Sequence, residues 1–209
     1  STGDLTINAA TTEGARGGIY AKNQGTGALS ITTTGTTTGG YYGIKARNNS
    51  EGALSITTTG KTTGSKHGIY ASIDNAASTG DLTIVTGEFD AEGNLIKSVD
   101  TTGGTNGIKA RNLGTGALSI TTTGKTTGGT GHGIYAYNAG SGGTSITVAS
   151  TGSIETSADK GHGIFNKSSG TAAKLNEITV AGSITTAGEG AHGIYNNGNN
   201  NKTILAAGG

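Results

Sequence analysis

Apolar and polar residues alternate with period two in short bursts along the whole chain, and each burst is closed by Gly, Asn or Ser. In LSITTT at Leu29, Leu54 and Leu118 the apolar Leu and Ile are separated by Ser and followed by Thr. Side chains two apart share one face of a strand, so Leu29 with Ile31, Leu54 with Ile56 and Leu118 with Ile120 would face a core while Ser30 and its equivalents face out. Nothing in the chain sustains the 3.6-residue periodicity of an amphipathic helix. The pattern therefore predicts many short strands punctuated by turns.

The bursts recur in a fixed phase. A Gly-Ile segment appears seven times, as GIYAKN at Gly18, GIKARN at Gly43, GIYASI at Gly68, GIKARN at Gly107, GIYAYN at Gly133, GIFNKS at Gly163 and GIYNNG at Gly193. The spacings are 25, 25, 39, 26, 30 and 30 residues. Between these segments lie ALSITTT at Ala28, Ala53 and Ala117, looser versions at Leu5, Leu82, Ile146 and Ile178, and then a short Thr or Ile stretch such as GTTTG, GKTTG or GSIET. Each unit thus holds three short strands, and self-similarity at such a period marks a solenoid. The expected fold is all-β, a right-handed single-stranded parallel β-helix with three short strands per rung and seven to eight rungs, forming one domain over residues 1–209. At about 4.8 Å per rung the rod would be about 35–40 Å long.

Stacking turns the repeats into columns. In the third strand of each rung, Ile19, Ile44, Ile69, Ile108, Ile134, Ile164 and Ile194 would point inward, with Ala21, Ala46, Ala71, Ala110 and Ala136 two residues on. In the second strand Thr37, Thr62 and Thr126 would occupy the inward place that Ile154 and Ile184 hold later. Asn23, Asn48, Asn112 and Asn138 close the third strand and would form a stacked amide ladder. Both termini stop inside the repeat, and a solenoid needs caps against edge pairing, so a piece of a longer protein is expected.

Composition agrees with this and removes alternatives. Gly accounts for 41 of the 209 residues, Pro, Cys, Met and Trp are absent, and net charge is +1. Strong helix formers are sparse, and the low charge argues against disorder by self-repulsion. With no Cys there is neither a disulfide framework nor a thiolate metal site. Near-neutral charge predicts no general attraction to nucleic acid or to anionic lipid. No run of about 18 apolar residues exists to cross a bilayer as a helix, and STGDLTINAA at the start lacks the features of a signal peptide.

Enzymatic chemistry is not expected. No GxSxG elbow occurs, and no rung gathers the carboxylates and basic groups of a polysaccharide lyase. The four histidines, His67, His132, His162 and His192, all precede a Gly-Ile pair, where Gly17, Tyr42 and Asn106 stand in other units. Shared metal ligation is one reading of that column. A repeated turn residue is preferred, since no carboxylate is in phase to complete a coordination sphere, and no cofactor is expected.

Two features are candidates for partner binding. Outward positions of the third strand make one column of Tyr20, Lys45, Tyr70, Lys109, Tyr135, Phe165 and Tyr195, and a second of Lys22, Arg47, Arg111, Tyr137 and Lys167. Such a stripe would stack on sugar rings and pair with sulfates or carboxylates of a glycan; ordinary solvated ladder residues are the equally weighted alternative. The 39-residue interval carries an insertion over residues 86–98, reading TGEFDAEGNLIKS, expected as a hairpin turned by Glu92, Gly93 and Asn94. Phe89, Leu95 and Ile96 would give it an apolar contact, and Glu88, Asp90 and Glu92 an acidic rim. Asp90, Glu92 and Asn94 resemble the start of a calcium loop, but Leu95 and Thr101 stand where the Gly and the bidentate Glu are needed.

The phased GIYA and GIKARN segments, the ALSITTTG strands and the absence of Cys resemble the right-handed β-helix passengers of monomeric bacterial autotransporters of the type V secretion route. The likeness covers nearly the whole chain and is one of repeat style. It implies export to the bacterial surface or the medium and an adhesin-like virulence factor that contacts a host cell-surface receptor or glycan. The wording of the repeats is most similar to passengers of bacteria that infect vessel linings, which implies as an alternative a shed growth-factor mimic that activates an endothelial receptor and promotes angiogenesis. A passive spacer is the third reading. The chain is expected to act as a monomer, without nucleic acid and without inserting into a membrane.

Overall fold

A computed structural model describes residues 3–169 and 175–206. The chain winds into a parallel β-solenoid of about eight turns whose wall is three sheets. The first sheet stacks eight strands, Leu5–Ala9, Leu29–Thr33, Leu54–Thr58, Leu82–Thr86, Leu118–Thr122, Thr144–Val148, Asn176–Val180 and Asn201–Leu205. The second stacks seven strands of three or four residues, from Thr12–Gly14 to Ser183–Thr186, and the third stacks seven from Gly17–Asn23 to Ile194–Asn197. No helix occurs among the described residues.

Register follows sequence identity. Leu29 pairs with Leu54, Leu54 with Leu82 and Leu82 with Leu118, with Ile31, Ile56, Ile84 and Ile120 in step two residues later. Ile19, Ile44, Ile69, Ile108, Ile134, Ile164 and Ile194 form one continuous column of the third sheet. These columns and the small Ala21, Ala46, Ala71, Ala110 and Ala136 are the core. A one-residue slip would turn every one of them outward, so burial itself fixes the register.

The second sheet supplies the thinnest part of the core. Thr37, Thr62, Thr101 and Thr126 are fully buried in line with Ile154. The hydroxyls of Thr37, Thr101 and Thr126 find no hydrogen-bond partner. Their methyl groups pack where the third sheet turns in: a Cβ on Gly107 would stand 2.7 Å from Thr126 Cγ2. Glycine is obligatory there because the two walls approach too closely for any side chain.

The corner asparagines are staples within their own rungs rather than a ladder between rungs. Asn112 Nδ2 donates to Gly116 O at 3.0 Å while its Oδ1 accepts the Gly114 N–H at 2.9 Å. Asn23, Asn48 and Asn138 do the same with the turn that follows each of them. The stacked-amide expectation is thus corrected: a five-residue corner leaves its own N–H and C=O groups unpaired, and the nearest amide satisfies both.

Candidate functional site

The insertion leaves the wall at the corner between the first and second sheets. Thr86 still belongs to the first sheet and is fully buried. Gly87 continues the ladder through its N–H to Thr58 O at 2.9 Å and then turns away with φ of +132°, which favours glycine. Glu88–Phe89 pairs antiparallel with Leu95–Lys97, Glu88 opposite Lys97 and Phe89 opposite Leu95, with a bulge between Glu88 and Phe89. Val99 returns to the core.

The turn begins earlier than the sequence suggests. Gly93 N–H donates to Asp90 O at 3.1 Å, Gly93 has φ of +85°, and Asp90 N–H donates to Asn94 O at 3.0 Å. Asp90 caps this loop: its Oδ1 accepts the Asn94 N–H at 2.7 Å and its Oδ2 the Asn94 side-chain amide at 3.0 Å. Those bonds hold the Asp90 carboxyl below its ordinary range. The Asp90 carboxylate therefore serves the turn, while Glu88 and Glu92 are exposed. Phe89 is 36% and Ile96 62% exposed, and Leu95 is half-buried against the hairpin.

Residues 88–98 include no core strand, and Ser98 Oγ, 2.9 Å from Thr151 Oγ1, is their side-chain hydrogen bond to the wall. What remains, Gly87, Val99 and Asp100, matches the three-residue corner that joins Thr33 to Thr37 in an earlier rung. Thr123, fully buried one rung on, ties exit to re-entry: its hydroxyl donates to Thr86 O at 2.7 Å and accepts the Val99 N–H at 3.2 Å. Sequence reasoning missed Thr123, because in a Thr-rich repeat nothing distinguishes it. The rest of the long interval's surplus lies in the loop between Ile73 and Leu82.

The outward columns of the third sheet form as expected. Tyr20, Lys45, Tyr70, Lys109, Tyr135, Phe165 and Tyr195 are in register. Lys45 Nζ sits between Tyr20 and Tyr70, 5.0 and 5.8 Å from their ring centroids, and Lys109 Nζ sits between Tyr70 and Tyr135 at 5.8 and 5.3 Å. Further along, Tyr135, Phe165 and Tyr195 stack at 5.2 Å with interplanar angles of 9° and 4°. Ring faces in this column are mostly covered by the next rung, so its outer surface is ring edges, hydroxyls and ammonium groups. Tyr20, at the start of the column, is 61% exposed.

The second column is less basic than it reads. Ser72 takes the slot between Arg47 and Arg111. Two residues on, Asp74 receives Arg47 Nε at 2.7 Å and Nη2 at 2.5 Å, accepts the Ser72 hydroxyl, and lies 3.8 Å from Arg111 Nη1. This contact raises the Arg47 pKa further, the hydrogen bond being the main cause. Asp74 thus neutralises the middle of the stripe, leaving Lys22 and Lys45 toward one end and Lys109 beyond it without carboxylate partners among the described residues. Burial, with Lys66 and Arg111 nearby, lowers the Lys109 pKa.

The histidine column turns out to be a side chain-to-backbone ladder. Asn106 Oδ1 accepts the His132 N–H at 2.8 Å, His132 Nδ1 accepts the His162 N–H at 3.0 Å, and His162 Nδ1 accepts the His192 N–H at 3.0 Å. An accepting Nδ1 requires the neutral ring with its proton on Nε2. Burial is the main cause that lowers His67 and His132 to about 4, with Lys109 and Lys66 adding for His67, and His162 and Lys109 for His132. His162 is lowered too, by burial first. No group of three or more His, Cys, Asp or Glu able to hold a metal occurs among the described residues. No protein-family model, curated protein or solved structure matches the chain.

Proposed function

We propose that this chain is a stretch of an exported bacterial rod, of the autotransporter-passenger kind, that presents a recognition hairpin to a protein on the host cell surface and so acts as an adhesin-like factor. One observation carries the reading. The hairpin of residues 88–98 leaves and re-enters at a corner that needs three residues in another rung, and it holds Phe89 and Ile96 exposed. Exposed apolar side chains on a rigid scaffold, rimmed by Glu88 and Glu92, have the anatomy of a small protein-recognition surface. The repeat style supports an exported rod, and the uniform wall supports a carrier role for the remaining rungs.

The test replaces both apolar residues, Phe89→Ser with Ile96→Ser, and measures binding of the labelled chain to endothelial and epithelial cells. The reading expects at least a tenfold loss of binding with unchanged β-sheet circular dichroism. Undiminished binding would remove the hairpin as the contact.

A further inference from the structure

The inner column of planar side chains in the third sheet has one gap. In successive rungs its position is held by Gly17, Tyr42, His67 and Asn106 in register, and then by His132, His162 and His192 through their backbone ladder. Every rung but the first fills that place with a planar side chain. Tyr42 meets His67 at 5.8 Å between centroids and Tyr70 at 6.0 Å, so one side of its ring is covered by the rungs that follow. Tyr41 meets the same ring edge-on at 5.0 Å, and no aromatic side chain of the Gly17 rung stacks on it.

Backbone geometry does not demand this glycine. A Cβ on Gly17 would meet only Ile19 O at 3.5 Å and Tyr42 O at 3.6 Å, ordinary contacts, and its φ is not in the left-handed region. The neighbouring Gly18 is different, since a Cβ there would stand 2.7 Å from Thr37 Cγ2 and 2.9 Å from two carbonyl oxygens. Gly18 is required for packing; Gly17 leaves a space.

That space is a depression of about 470 Å³ lined by Arg16, Gly17, Tyr20, Tyr42 and Lys45. Lys45 Nζ lies 4.8 Å from the Tyr42 centroid and 5.0 Å from that of Tyr20. Neither Arg16 nor Lys45 has a carboxylate partner among the described residues. The backbone carbonyl of Arg16 accepts the N–H groups of Tyr41 and Tyr42 at 2.9 and 3.0 Å, which fixes the backbone of Arg16 at the edge of the depression it lines. Two cations without carboxylate partners among the described residues, two tyrosines and a depression roomy enough for a sugar ring converge at one place.

We propose that this gap binds one acidic pyranose of a glycan, its ring packed against Tyr42 and its carboxylate or sulfate held by Arg16 and Lys45. Ring stacking against tyrosine and bidentate capture of the anion by the guanidinium follow from the groups present. The cations make a neutral sugar a poor occupant, because they would then stay unpaired. Asp74 shields the stripe two rungs away, so the site recognises one anion locally and not a long run of charge.

Isothermal titration calorimetry with two acidic probes, sialyllactose for a carboxylate and a heparin tetrasaccharide for sulfate, and with lactose as the neutral control, tests this. At least one acidic probe is expected to bind at least tenfold more tightly than lactose. Gly17→His should reduce that binding tenfold or more by filling the gap with a ring, while its melting temperature stays within a few degrees of the parent. Arg16→Ser should reduce it similarly with no added bulk and serves if Gly17→His folds poorly. Binding of neither acidic probe, equal binding of lactose, or unchanged affinity in Arg16→Ser overturns the proposal. Removal of residues 88–98 should leave the affinity unchanged, which separates this site from the hairpin.

Discussion

Acid should destabilise the solenoid through its histidine column, and the size of the effect follows from the geometry. His67 is buried among Tyr42, Tyr70 and Asn106, with Lys66 and Lys109 adding positive charge; His132 stacks on Tyr135, Phe165 and His162, with Lys109 nearby. Both have folded values of about 4 against an ordinary 6.5. A histidine whose folded value is depressed leaves the unfolded chain holding more protons between the two values. Its stabilising contribution is complete above pH 6.5 and falls as pH drops toward 4. At pH 5 the loss is about 2 kcal/mol for His67, and about 1 kcal/mol for His132 after allowing for its partial exposure to solvent. Protonated His132 would also present an N–H to the His162 N–H it now accepts. Thermal unfolding at pH 7.5 and 5.0 should therefore differ by about 6–12 °C. The double variant His67→Asn with His132→Asn should lose most of that difference, because Asn106 already accepts the next N–H through an amide that does not titrate. A parent with equal midpoints at the two pH values, or a variant with the parent's full difference, would refute the reasoning.

Three further outcomes follow from the wall. Thr126→Val replaces a buried, unpaired hydroxyl by a methyl between Thr101 and Ile154 and should stabilise by about 1 kcal/mol in denaturant unfolding; a loss of stability would mean the hydroxyl has a partner. Asn112→Ala removes both bonds of its corner staple and should cost about 2–3 kcal/mol in the same assay, a cost below about 0.5 kcal/mol being inconsistent with the staple. Asp74→Asn frees Arg47 and Arg111 and should delay elution from immobilised heparin to higher salt, whereas elution at the parent's salt would show that the stripe does not reach the polymer.

The fold was legible because the repeat states the register many times over. Once Ile19 and Ile44 are aligned, every other column follows, including the switch from Thr126 to Ile154. Contacts within a column were legible as neighbours but not as bonds. That His162 donates its backbone N–H to a ring, or that Asn112 turns into its own corner, depends on side-chain torsions that spacing does not encode. Asp74 is not legible from the column, because it lies two residues past Ser72 and reaches Arg47 and Arg111 of neighbouring rungs from outside it. The gap at Gly17 was hidden for the opposite reason: in a chain with 41 glycines, one that backbone geometry does not require reads like the others. Surplus length points to the segment in which Glu88–Phe89 pairs with Leu95–Lys97, but not to the turn bonds that engage the Asp90 carboxylate expected at the rim.

The separation of rod from hairpin is decided most directly on a variant lacking residues 88–98, with Gly87 joined to Val99. Its thermal midpoint and its binding to endothelial and epithelial cells are measured on the same preparation. Shortening this connection to three residues lowers its loop-closure cost by about 1.4 kcal/mol, so the midpoint should lie at the parent's value or a few degrees above it. Cell binding should fall at least tenfold. A variant that unfolds far below the parent would show that the hairpin is part of the solenoid's packing, and one that stays folded and binds cells as the parent does would show that the contact lies on the wall.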